Sequence, residues 1–160
     1  MGRTLPLLAA LLTITALQQA AEPALAFAAV VHPSNATRDM RMRELTSLFG
    51  GVNRQWPNRS AVVLVERDSA SAPYHYLMLH LLNTTPGEYK RHLQNLEYSG
   101  EAPIAVKILN SDAAACQFVF NVPTAIAIVE TNSLPSPACS QVQVLRIDGK
   151  LPSQAGYGLK

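Results

Sequence analysis

Three short runs limit the fold of this chain more than any other feature. They are Phe27-Ala28-Ala29-Val30-Val31, Ala61-Val62-Val63-Leu64-Val65 and Thr124-Ala125-Ile126-Ala127-Ile128-Val129. None alternates apolar with polar, as a strand with one wet face would. Each therefore predicts a strand covered on both faces. Helical patterns fill the intervals. Met42, Leu45, Leu48 and Phe49 recur at helical spacing, and Gly50-Gly51 stops them. Tyr74 to Leu82 is apolar nearly all round and predicts a largely buried helix. Thr85-Pro86-Gly87-Glu88 is a capping box with proline at the first helical position, and its helix carries Tyr89, Leu93 and Leu96 on one stripe. Ile104 to Leu109 predicts a further short strand. Asn110-Ser111-Asp112 predicts the cap of a helix reaching Asn121, and Val142, Val144 and Ile147 a final strand ended by Asp148-Gly149. Strands alternating with helices predict the α/β class: a mostly parallel sheet with helices on both faces. The last stretch, 150–160, has little periodicity and is expected to be a loosely ordered tail.

The N-terminus carries a different signal. Arg3 precedes an apolar run from Leu5 to Leu17, which is shorter than the roughly 20 residues needed to span a bilayer. Gln18 and Gln19 follow, then Ala24-Leu25-Ala26. Small residues at the −3 and −1 positions predict a signal peptide over residues 1–26, with cleavage after Ala26 or, in the alternative, after Ala28. The expected product is a periplasmic or secreted protein without stable membrane insertion. Arg3 and Glu22 cancel in the leader, so the remainder keeps the formal charge of +2. That balance is too mild to argue for nucleic acid or a membrane surface as partner. With 48% apolar and 15% charged residues the chain is globular in composition rather than disordered. Export and an even cysteine count predict one disulfide, Cys116–Cys139, over the alternative of two separate buried thiols.

The order of the motifs is itself informative. Val30-Val31-His32-Pro33-Ser34-Asn35 leads into Glu44-Leu45-Thr46-Ser47-Leu48-Phe49-Gly50, then Trp56-Pro57-Asn58 and the strand Val62 to Val65. Asn110-Ser111-Asp112, Ala125-Ile126-Ala127-Ile128 and Val144-Leu145-Arg146-Ile147-Asp148-Gly149 follow. This series resembles one lobe of the type 2 periplasmic binding proteins, and within them the phosphate-binding proteins of ABC transporters and their short single-lobe relatives. The resemblance implies a single lobe over residues 27–149. It also implies a small-oxyanion site in the loop after the second strand, where phosphate-binding members resemble Arg-x-Asp-x-Ser-Gly-Thr. Here that stretch is Arg67-Asp68-Ser69-Ala70-Ser71-Ala72-Pro73. Arg67 and Ser71 match by position; Ser69 stands at the aspartate position, Ala72 at the glycine and Pro73 at the threonine. The implied ligand-binding residues are Arg67, Ser69 and Ser71, and the implied ligand is phosphate or another small oxyanion, for uptake or sensing. Two-lobed relatives clamp ligand between lobes, so the resemblance implies a second lobe from a homodimer or an envelope partner.

Elementary chemistry treats the same loop in two ways. A strand feeding a helix N-terminus offers free N–H groups and a positive dipole end, and an arginine can pair with two oxyanion oxygens. Alternatively Ser71 caps the helix, Arg67 pairs with Asp68 or solvent, and nothing binds. The second case makes the chain a structural or interaction module. Elsewhere the sequence is sparse in chemistry. His32 ends a strand beside the expected mouth of the sheet. His75 and His80 are five apart and do not form a metal pair, and no zinc signature, nucleophile elbow or phosphate-cradling glycine loop occurs, so no metal, cofactor or enzymatic activity is expected. Trp56 is expected to pack its loop onto the domain. Asn35, Asn58 and Asn83 each begin an Asn-x-Ser/Thr sequence.

Overall fold

The structure, a computed structural model, describes residues 26–100 and 103–160. The predicted signal peptide, apart from Ala26, lies outside the described residues. The central sheet has the order β4-β3-β5-β1-β6, built from β1 (Phe27–Val31), β3 (Val63–Arg67), β4 (Ala105–Leu109), β5 (Ala125–Glu130) and β6 (Gln143–Val144). β3 pairs in parallel with both β4 and β5. β1 runs against β5 and β6, so four strands share one direction and β1 opposes them. The final strand is split. After β6, Leu145 N–H donates to Ala29 O at 2.8 Å, and the chain then forms β7 (Arg146–Ile147), parallel to β2 (Asp39–Met40).

The two faces of the sheet follow from strand alternation. Phe27, Ala29, Val31, Leu64, Ile126 and Ile128 point to one side. There they meet α1 (Met42–Phe49), α2 (Ala72–Tyr76) with its π-helical extension Leu77–Leu81, and α3 (Pro86–Tyr98). Val30, Val65, Ala125, Ala127 and Val129 point to the other, against α4 (Asp112–Asn121). The small side chains on this second face admit α4 closely through Ala115, Cys116 and Val119, all with no exposed area. Cys116 and Cys139 form a disulfide that ties α4 to the loop after β5.

Capping follows the sequence. Glu88 N–H donates to Thr85 Oγ1 at 3.3 Å and Thr85 N–H to Glu88 Oε2 at 3.1 Å, closing the box on α3. Gly51, at φ +72°, turns the chain out of α1 as few side chains would allow. Trp56 is buried, and its Nε1–H donates to Thr124 O at 2.9 Å, fixing its loop to the start of β5.

The expectation of a loosely held tail is corrected. Tyr157 and Leu159 are buried. Phe27 N–H donates to Leu159 O at 2.9 Å, and the Tyr76 hydroxyl to Gly158 O at 3.2 Å. Two apolar anchors separated by a glycine give no periodic signal, yet they fill the core beside β1.

Candidate functional site

β3, β4 and β5 end together, and the loop Arg67–Ser71 rises from their carboxyl ends. Open α/β sheets hold their ligands at this edge. Arg67 is the last residue of β3, and its side chain is 11% exposed. Its Nη1 forms an ion pair with Asp112 Oδ1, while Nη2 donates to Asn110 O at 3.3 Å and lies 3.5 Å from Asp68 Oδ2. Its Nε–H is buried without a partner among the described residues.

Asp112 is the hub of this edge. Besides Arg67 it accepts from Glu130 N–H at 3.0 Å and from the Ser133 hydroxyl at 2.7 Å. One carboxylate thus joins the ends of β3 and β5 to the first turn of α4. It is buried, and every oxygen has a donor, as a buried charge requires. Sequence reasoning placed Asp112 in a helix cap and left Arg67 either to an oxyanion or to Asp68 or solvent. The available signal was topological: an acidic residue opening the helix after a strand parallel to β3 falls beside the end of β3.

Ser71 is the N-cap of α2. Its hydroxyl accepts from Tyr74 N–H at 3.3 Å and donates to Asp68 O at 2.7 Å. Ser69 is exposed at the tip of the loop, and Asp68 Oδ1 accepts from Ala70 N–H at 3.2 Å. Pro73, in the first turn of α2, brings no N–H to this end of the helix. The loop therefore gathers Arg67, Ser69 and Ser71 at one strand edge. Arg67 and Ser71 are held from within the protein and Ser69 faces solvent.

His32 is not at this edge. β1 runs opposite to its neighbours, with Phe27 paired to Glu130 and Val31 to Ile126. Its end therefore lies at the amino edge of the sheet, and the expected position beside the mouth is corrected. There His32 stacks on Phe120 with ring centroids 5.9 Å apart and bonds Ser34 Oγ at 2.7 Å. A run of apolar letters does not record strand direction. The edge of β1 that reaches the mouth is instead its start, where Thr131 N–H donates to Ala26 O at 2.9 Å.

No protein-family model and no curated protein matches the sequence. Solved structures do resemble it. One is a chain from Clostridium perfringens assigned as a phosphate ABC transporter substrate-binding protein, with phosphate bound. It aligns with a TM-score of 0.62 at 14% identity, over 80% of this chain and 47% of that one. PstS from Borrelia burgdorferi aligns at 0.62 and 14% identity, over 81% of this chain and 49% of its own. An ABC-type phosphate transport receptor from Vibrio cholerae aligns at 0.58 and 15%, over 81% and 48%. The fold is that of a single periplasmic-binding-protein-like lobe. This lobe spans about half the length of each solved chain. At such low identity the likeness is one of fold, so the chemistry of the lobe rests on its own residues. Among the described residues, no helix is long and apolar enough to cross a membrane.

Proposed function

We propose that this chain is an exported, half-size substrate-binding lobe. Its loop 67–71 holds one side of phosphate or another small oxyanion for ABC-type uptake or sensing, and the other side comes from a second copy or an envelope partner. The observation that carries the reading is the clamp on Arg67. Asp112 holds the guanidinium at the carboxyl ends of three parallel strands, in the same loop as the exposed Ser69. A fixed arginine binds an oxyanion without first losing rotamer freedom. Asp68 beside it favours an oxyanion that still carries a proton, because a P–O–H can donate to a carboxylate whereas sulfate has no proton at neutral pH. A lone lobe leaves one side of the ligand hydrated, so the expected affinity is in the millimolar range.

Calorimetry and amide chemical shifts with phosphate, sulfate and molybdate test this. Phosphate should bind more tightly than sulfate, with shifts at Ser69 and Ser71, and Ser69→Ala, which removes an exposed hydroxyl and adds no charge, should weaken both signals while the protein stays folded. A second reading has its own observation. Asp112 and Asp68 together outweigh the charge of Arg67, the Ser71 hydroxyl is occupied, and Pro73 lacks an N–H. On that reading the lobe is a folded interaction module of an envelope complex that carries no ligand. Silence with all three anions, together with co-purification of an envelope protein, selects it.

A further inference from the structure

α3 is the most lightly fastened helix of the first face. Of its 13 residues only Tyr89 is buried, while Leu93 and Leu96 are half-buried. A left-handed residue stands at each end of the helix, Asn83 at φ +48° and Gly100 at φ +78°. α3 is thus a regular segment hung between two sharp turns, with one aromatic side chain as its main anchor. Elements with so few buried contacts open ahead of the sheet they rest on.

The anchor ends on a titratable group. The Tyr89 hydroxyl lies between two buried acceptors, Glu66 Oε1 at 2.7 Å and Phe49 O at 2.8 Å. It has one proton, so both contacts are met only when Glu66 is itself protonated and donates to Tyr89. Ionised Glu66 needs that proton too, and one of the two buried acceptors then loses it. The surroundings of Glu66 give no compensation. Tyr89 of α3 and Tyr74 of α2 are the titratable groups that face it, and β4 sets Ile108 beside it. α1 contributes the Phe49 carbonyl, and Arg67, next in β3, is held by Asp112. Among the described residues no cation pairs with Glu66. Burial and the facing Glu66 raise the Tyr89 hydroxyl above its usual range, so Glu66 is the group that titrates. His92, also on α3, is exposed and donates from Nε2 to Gly50 O at 2.9 Å whether or not its ring is charged.

We propose that α3 is a pH-sensitive latch, docked on the sheet while Glu66 is protonated and released when Glu66 ionises. Undocking takes Tyr89 away from Glu66 and admits water to the carboxyl, and water favours the ionised form. The docked state holds the proton more tightly, so docking is strongest at acid pH and weakens as pH rises through the docked-state value. Burial raises the Glu66 carboxyl, in keeping with that direction. The latch lies on the opposite face of the sheet from Asp112 and α4, and it stands or falls apart from the loop 67–71.

Amide hydrogen exchange tests this, with protection factors corrected for the intrinsic effect of pH. Protection of the α3 amides, 90–98, should fall at least about tenfold between about pH 4 and pH 7. These amides should exchange ahead of β5 and with a weaker dependence on added urea, because a local opening exposes little surface. Glu66→Gln keeps a donor for Tyr89 and cannot ionise, so in that variant α3 protection should be equal at both pH values. The carboxyl carbon shift of Glu66 in the unaltered protein supplies a second measurement that needs no variant. It should titrate above the usual carboxylate range, over the same pH interval as α3 protection falls. Four outcomes overturn the proposal: α3 protection that is flat with pH, the same fall in Glu66→Gln, a urea dependence equal to that of β5, or a Glu66 carboxyl that titrates near its ordinary value of about 4.3.

Discussion

Two buried carboxyls behave in opposite ways. Asp112 is fully paired: its oxygens face a guanidinium, an N–H and a hydroxyl. Removing it leaves the buried Arg67 with only the partly exposed Asp68 as counter-charge. Asp112→Ala should therefore cost about 3 kcal/mol or more, read as a lowered urea midpoint, and a loss below about 1 kcal/mol would show that the clamp is a solvent-screened surface pair. Glu66 is the reverse case. It is 5% exposed, and burial pushes its carboxyl above the usual range, against the smaller opposing effect of the Tyr89 hydroxyl. The Tyr89 hydroxyl lies 2.7 Å from Glu66 Oε1 and 2.8 Å from Phe49 O. One hydroxyl proton cannot serve two acceptors well. Both contacts are met when protonated Glu66 donates to Tyr89, which donates to Phe49 O. A raised folded-state pKa contributes stability that is complete below the unfolded value of about 4.3 and is lost as pH rises through the folded value. Glu66→Gln keeps a donor and cannot ionise. Its urea midpoint should rise relative to the unaltered protein between about pH 4 and pH 7, and a constant difference across that range would sink the assignment. Neither role was legible in the sequence. Glu66 ended an apolar run and Asp112 opened a helix, and only the packing of neighbouring elements set their partners.

At the scale of elements, the sequence spoke clearly wherever the cause was local. Thr85 and Glu88 are three residues apart and cap α3 as their spacing requires. Thr85→Ala should lower stability by about 1 kcal/mol, with helicity lost first in the opening turn of α3; an unchanged thermal midpoint would contradict it. The disulfide is intermediate. An even cysteine count together with the expectation of export predicts a bridge, but its job depends on tertiary position. It joins α4 to the loop that follows Ser133, with a sequence separation of 23. Replacing both cysteines with alanine should cost about 3 kcal/mol. It should also loosen the Ser133 bond to Asp112, so amide exchange at Glu130 and Ser133 should quicken ahead of the sheet. Equal protection in both proteins would separate the bridge from the mouth. The last strand was read as one element and is two. Leu145 lies between a short pairing with β1 and another with β2, a switch of partner that no periodicity encodes.

For the whole molecule, the tail is the part that local reasoning misjudged. Tyr157 and Leu159 are buried against a core that includes Phe27 and Tyr76, and the tail binds the first strand through a backbone bond. Leu159→Ala should cost about 2–5 kcal/mol, and a change within about 0.5 kcal/mol would restore the loosely held tail. The sequence by itself determined the fold class, the strands with two dry faces, the caps and the cysteine pair. Each follows from residues near in the chain or from composition, where period, propensity and redox chemistry act without knowledge of neighbours. Tertiary structure alone decided the direction of β1, and with it the placing of His32 away from the mouth. It also decided the burial of the tail and the capture of Arg67 by Asp112. These are pairings between segments far apart in sequence, and their free energy exists only once the sheet has brought the segments together.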